Sequence, residues 1–240
     1  FLVQIAGDPV GGEPGRTRRL TVVSRFRNTR KSPRQPDTGG AADFRWIAYL
    51  SLAVGCMIIY GQAIRFQFLP YDDNVYLTGN PHVSGGLTWK NVVWAFTSFQ
   101  ASNWVPLTWL SHMLDFQVFG SRSGAHHLVN VLLHTVNAVL LLWVLMQLDG
   151  GMEKNRLSRC LWAAAIFAFH PLHVQSVAWV SQRKDTLSLF FALLALGVYV
   201  SHIKRPGPIR YVCLVLCYAL SLMAKPMMVT LPLLLLLLDY

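Results

Sequence analysis

The feature that most constrains this chain is the length of its apolar runs. Trp46 to Ile64, about His127 to Leu148, and Thr186 to about His202 each approach the length a helix needs to cross a bilayer, roughly 20 residues for a hydrocarbon core of about 30 Å. Inside that core every backbone N–H and C=O must be paired within the protein, which such a run achieves as a helix. Apolar residues make up 53% of the 240, and the mean hydropathy is +0.39. Both are high for a soluble domain of this size. The chain reads as an all-α integral membrane protein, a polytopic helical bundle.

Three further runs are shorter or interrupted. Cys160 to Phe169 stops at His170-Pro171, Tyr211 to Ala224 breaks at Lys225-Pro226, and Met227 to Leu238 ends the chain. Counting all of them predicts about six spans. The loop at 65–125 carries two amphipathic stretches too short to span. Leu87, Val92 and Phe96 share one side of the first, and Leu107, Leu110, Leu114 and Val118 line the second. Tryptophan-rich helices of this kind lie in the interface plane. The chain opens on Phe1 and stops soon after the run Leu233 to Leu238, and so reads as a fragment.

The net charge of +10 is unevenly spread. Residues 1–45 form a basic leader, expected to be disordered and cytoplasmic, with Arg16, Arg18, Arg19, Arg25, Arg27, Arg30, Lys31, Arg34 and Arg45 among Gly, Pro, Ser and Thr. Few aromatic residues punctuate those charges, which argues against a nucleic-acid partner. The loops at 149–159 and 203–210 are also basic. With six spans drawn, all three basic segments fall on one side, so the positive-inside bias sets the N-terminus in the cytoplasm. The bilayer itself is then the first partner. Cys56, Cys160, Cys213 and Cys217 lie in or beside apolar runs without metal-ligand spacing, and read as small packing residues.

The same topology gathers the unusual polar residues on the outer face. Asp72 and Asp73 are adjacent carboxylates, which repel each other and call for a cation, a proton or a hydrogen-bonding substrate. Arg183 offers a planar fork suited to phosphate, or pairs with Asp185 as an interfacial arginine. Lys225, isolated between apolar runs, needs an anion opposite, either a phosphate or one of the aspartates. His126 and His127 open the second long run, ahead of a stripe of Asn130, His134 and Asn137 that suits helix–helix hydrogen bonds. His170 and His173 are three residues apart with no third ligand nearby, so a substrate contact or a structural role is favoured over a metal. No metal site or cofactor is indicated, and a divalent metal is left open.

Five motifs occur in order: Tyr71-Asp-Asp-Asn74, Ser102-Asn-Trp-Val-Pro-Leu-Thr-Trp-Leu-Ser-His-Met-Leu-Asp115, Gly124-Ala-His-His-Leu-Val-Asn-Val-Leu-Leu-His134, His170-Pro-Leu-His173 with Arg183-Lys-Asp185, and Ala224-Lys-Pro226. Together they resemble the membrane half of the transmembrane-and-tetratricopeptide-repeat family, in its bacterial form. That family falls in the glycosyltransferase C superfamily with the protein O-mannosyltransferases. The resemblance covers about residues 65–240. It implies that 46–240 is the N-terminal part of a glycosyltransferase C membrane domain, with tetratricopeptide repeats beyond the C-terminus.

The activity so implied is transfer of a hexose such as mannose from a polyprenyl-phosphate sugar to a hydroxyl of an acceptor protein. It would proceed with inversion at the outer membrane face, in the bacterial inner membrane or the endoplasmic reticulum. Asp73 or Asp72 would be the base, with Asp73 preferred, and Arg183 and Lys225 would hold the donor phosphate. His126, His127, His170, His173 and Gln175 would contact substrate. Two departures stand out: Gln175 occupies a place where the family usually carries glutamate, and Val105 one where it is usually basic or His. They lend weight to one alternative, a non-catalytic membrane anchor for a repeat domain; another is a lipid-linked sugar flippase, which would use the same cationic sites without a base.

Overall fold

The computed structural model describes residues 40–149 and 155–239, so residues 1–39 of the leader lie outside the described residues. Every regular element among the described residues is helical. The first helix, α1 (Gly40–Tyr60), starts ahead of the apolar run, takes in residues 40–45 and tightens into a 3₁₀ turn at Gly61–Arg65. The loop expected at the outer face, and called the outer loop for that expectation, folds into a π-type turn (Asn74–Thr78) and the short helices α2 (Pro81–Ser84), α3 (Trp89–Thr97) and α4 (Pro106–Phe119). Then come α5 (Ser123–Leu148), α6 (Arg156–Phe169), α7 (Val174–Ala178), α8 (Arg183–Lys204), α9 (Pro208–Ala224) and α10 (Leu231–Asp239).

The local signals account for the breaks. Asn80 caps α2, its side chain accepting from the His82 and Val83 N–H groups at 3.1 and 3.4 Å, and Pro81 follows at the first helical position. Thr88 caps α3 in the same way through Asn91. α4 and α9 each begin on a proline, and Gly120, at φ 61°, ends α4 in a conformation that side-chain-bearing residues avoid.

Among the described residues, three helical stretches are long and apolar enough to cross a membrane: Arg45–Arg65, Ser123–Leu148 and Val180–Lys204. Arg156–Phe169 and Pro171–Ala178 meet at a 47° bend and make a fourth if counted as one span. Pro208–Ala224 and Pro226–Leu238 are apolar but shorter. Of the six spans expected, three to four are seen among the described residues. Breaks at His170-Pro171 and Lys225-Pro226 divide the apolar sequence into pieces below the length a bilayer requires.

α8 packs along both α5 and α9, and α5 packs on α1 and α6. The largest apolar core lies among α1, α5 and α6, with Leu52, Cys56, Val131, Leu142 and Ala164 at its centre. A second core sits within the outer loop, where Leu77, Val83, Val105, Trp109 and Met113 close over Val180. Small residues set the close approaches, as expected where helices meet in lipid. A Cβ on Gly197 of α8 would overlap the Trp143 ring of α5, and one on Gly124 would overlap the Ile64 carbonyl.

The two amphipathic stretches face the other way from a soluble helix. α3 buries Asn91 and Ala95 and exposes Trp89, Val93 and Phe96. α4 buries Thr108, Trp109, His112, Met113 and Asp115, while Leu114 and Val118 are 50% and 62% exposed. The leucine side read from the sequence is thus outward at Leu114 and Val118, while Leu107 and Leu110 are half-buried and Leu110 packs on the second core. In a membrane protein that side can meet lipid while polar groups pair inside.

Candidate functional site

The polar residues singled out in the sequence divide into a buried knot and two openings. Asp73 is fully buried. Its two oxygens accept the backbone N–H of Leu69 and of Ser181, each at 2.9 Å, so it ties the first turn of the outer loop to the segment before α8. Asp72, beside it, is half-buried and has no hydrogen-bond or ion-pair partner among the described residues. The two carboxylates therefore do different things: one is an anchor and the other is available.

Arg183, at the start of α8, is fully buried. Its guanidinium forms an ion pair with Asp115, donates from Nε to Asn130 at 2.7 Å and from Nη1 to the Ser111 hydroxyl at 3.2 Å, and reaches the His126 carbonyl from Nη2 at 2.9 Å. These partners lie on α4 and α5, so Arg183 braces three helices from within. The arginine–Asp185 pair considered from the sequence does not form. Residues 183 and 185 are about 200° apart around a helix and face different neighbours. Asp185 pairs instead with Lys225, which makes it the anion opposite that lysine, rather than Asp72 or Asp73.

His126 and His112 complete the knot, both fully buried. Nε2 of His126 lies 2.9 Å from the Gly120 carbonyl. A carbonyl only accepts, so this nitrogen carries the proton, and in the neutral ring Nδ1 then keeps its lone pair, 3.6 Å from Oδ2 of Asp115. Neither ring nitrogen of His112 has a hydrogen-bond partner. Burial pushes the His112 imidazole well below its usual value, with Arg183, His126 and Lys184 adding to the effect. Burial also raises the Asp115 carboxyl, against the pull of Arg183. Sequence reasoning missed both residues, although the tryptophan-rich motif ending at Asp115 contains them. The available signal was His and Asp at i, i+3 on a helix otherwise apolar on one side.

Along α5 the polar stripe joins helices. Asn130 donates to the Trp179 carbonyl at 3.0 Å and Asn137 to that of Thr186 at 2.8 Å, while the His134 ring meets the Ala168 carbonyl at 2.9 Å. His170 lies at the bend, where its ring accepts the Leu172 N–H and caps the short turn at 3.2 Å.

The first opening is a groove of ≈ 690 Å³ between the start of the outer loop and α7, walled by Phe66, Phe68, Leu69, His127, Gln175 and Trp179. It holds two of the expected substrate-binding residues, His127 and Gln175. Tyr71 tilts against Trp179 at its edge, with ring centres 6.2 Å apart. The second opening is a cavity of ≈ 180 Å³ lined by His134, His173, Ser176, Asp185, Lys225 and Met228, among others. Gln175 faces one opening and Ser176 the other, so α7 contributes to both walls.

The backbone around Lys225 is fixed from two sides. Thr108 of α4 donates to the Ala224 carbonyl at 2.9 Å, and Ser188 of α8 to those of Ser221 and Lys225 at 3.0 and 3.3 Å. Pro226 favours the extended conformation that Lys225 adopts and turns its side chain out of the helix line. Ser176 donates to the second oxygen of Asp185 at 3.3 Å. The ammonium and carboxylate are each about a quarter exposed (26% and 27%), so the pair sits at a wall that a ligand can reach.

Fold and site together define an all-α membrane protein in which Asp73, Asp115, Arg183, Asp185 and Lys225 pair between elements far apart in sequence. The chain is related to the transmembrane-and-tetratricopeptide-repeat family of glycosyltransferase C type, as its ordered motifs imply. It is 32% identical over 170 residues to protein O-mannosyl-transferase Tmtc2 of Drosophila melanogaster, a match covering 68% of this chain and 17% of that protein. Similar matches are to protein O-mannosyl-transferase TMTC1 of Mus musculus, 31% identical over 62% of this chain and 16% of that one, and to TMTC4 of Homo sapiens, 31% identical over 62% and 22%. The chain thus spans about a fifth or less of the length of these curated relatives. No family model matches the chain, and no solved structure matches it.

Proposed function

We propose that the chain is part of a membrane glycosyltransferase that moves a hexose, such as mannose, from a polyprenyl-phosphate carrier to a hydroxyl of an acceptor protein at the outer membrane face, with inversion. The relatives are named protein O-mannosyl-transferases. The observation that carries the chemistry is the division of labour between the two aspartates. Asp73, held by two backbone donors, fixes the loop. Asp72 is left with a carboxylate that no other described group occupies, and that suits a general base. This shifts the preferred base from Asp73 to Asp72.

The remaining roles follow from the openings. Single displacement requires removal of the acceptor proton and stabilisation of the negative charge that grows on the departing phosphate. Lys225, in a cavity edged by Met227, Met228 and Phe167, would take that phosphate, with apolar walls suited to the first isoprene units. Asp185 steadies the ammonium and leaves it further protons to donate. His173 lies in the same cavity, and His127 and Gln175 would meet sugar or acceptor in the groove. Arg183 and His126 would serve from behind by holding α4, α5 and α8 in register.

Transfer from a labelled polyprenyl-phosphate sugar tests this on the membrane-embedded protein. Asp72→Asn is expected to lower the rate by about 10²–10⁴, the range for loss of a general base, with donor binding retained. Unchanged transfer in that variant would remove Asp72 from the mechanism.

A further inference from the structure

We propose a buried divalent-metal site, of the kind zinc fills, formed by His112 and Asp115 of α4 and His126 of α5. One ligand atom from each residue lies within 4.8 Å of the others. Two imidazoles and a carboxylate form a donor set that first-row divalent ions prefer. With bonds of about 2.0–2.2 Å, tetrahedral ligands stand roughly 3.3 Å apart, and the His126 Nδ1–Asp115 Oδ2 separation of 3.6 Å is close to that.

The arrangement around these atoms is that of a supported site. The Gly120 carbonyl takes the Nε2 proton of His126 and aims the lone pair of Nδ1 at Asp115, the usual outer-sphere partner of a metal-bound histidine. Arg183 holds the carboxylate, and the rings of Phe68 and Phe116 wall His126 at 5.3 and 4.7 Å. His112, fully buried, has no partner on either nitrogen. A neutral imidazole so placed loses its water without gaining a bond, at a cost of about 1–3 kcal/mol per unsatisfied group, and a metal bond removes that cost. A divalent ion beside Arg183 leaves the knot positively charged. A fourth ligand of water, which zinc ionises near neutral pH, offsets part of that charge. The ion would join α4 to α5, a structural task separate from transfer.

The test is metal content of the detergent-purified chain, carrying no polyhistidine tag, with cobalt substitution as the spectroscopic readout. The wild type is expected to hold about one divalent ion per chain and to show the visible bands of tetrahedral cobalt. His112→Gln should lose most of both, and His82→Gln, outside the cluster, should lose neither. If His112→Gln does not fold, His112→Cys decides, because a thiolate ligand keeps the ion and adds a sulfur-to-cobalt charge-transfer band. Absence of the ion from folded wild type, equal content in His112→Gln, or a folded cysteine variant without that band would overturn the assignment.

Discussion

Arg183 and Asp185 begin the same turn of α8, yet they belong to different chemistries. Arg183 is sealed among Asp115, Asn130, Ser111 and the His126 carbonyl. Asp185 stands in a cavity wall with Lys225, a quarter exposed. Both are ion pairs between residues far apart in sequence. In the first pair the guanidinium is sealed with its donors turned inward, out of reach of a substrate phosphate. The second keeps exposed surface and spare donors, and only such a pair can exchange partners with a substrate. In a membrane protein, then, a charge is informative about function once its hydrogen-bond partners have been counted.

Three substitutions press on that contrast. Arg183→Leu leaves Asp115 buried and unpaired, and should cost about 3–5 kcal/mol, the usual penalty for breaking a buried pair. It is measured as a fall in thermal midpoint and in folded yield in detergent. Normal stability with donor binding lost would return Arg183 to the phosphate site. Lys225→Ala should leave the fold intact and raise the KM for the lipid-phosphate sugar about tenfold or more, since a charge-assisted hydrogen bond contributes roughly 1.5–3 kcal/mol. If Lys225→Ala unfolds the protein while donor KM holds, the two regions have exchanged roles. Asp73→Asn turns an amide donor towards the N–H of Leu69 or Ser181 and should destabilise by about 1–3 kcal/mol. Circular-dichroism melts check this, and an unchanged melt would remove the anchoring role.

The sequence showed the long helices because a run of about 20 apolar residues has few other fates. α1, α5 and α8 were legible on that ground, and the stripe Asn130, His134, Asn137 was legible as helix pairing from its spacing. α4 was not. Leucine periodicity marks an apolar side, but whether that side meets core or lipid depends on what the opposite side finds, and the partner of Asp115 arrives only with α8. The candidate site was legible as a set of residues and illegible as a set of pairs. Asp72 and Asp73 look alike in sequence, and only the N–H groups of Leu69 and Ser181 tell them apart.

The inside-out helix α4 also constrains the order in which the protein can be made. His112 and Asp115 leave the ribosome before Asn130 and Arg183, so α4 has no complete set of partners when it first reaches the membrane. Until α8 arrives, it is a tenant of the aqueous side or of the insertion machinery. A nascent chain halted before Arg183 should therefore leave the thiol of a Met113→Cys variant, at a buried position beside the pair, open to a water-soluble maleimide, and release past α9 should close it. Equal labelling at both lengths would mean that α4 settles without its arginine.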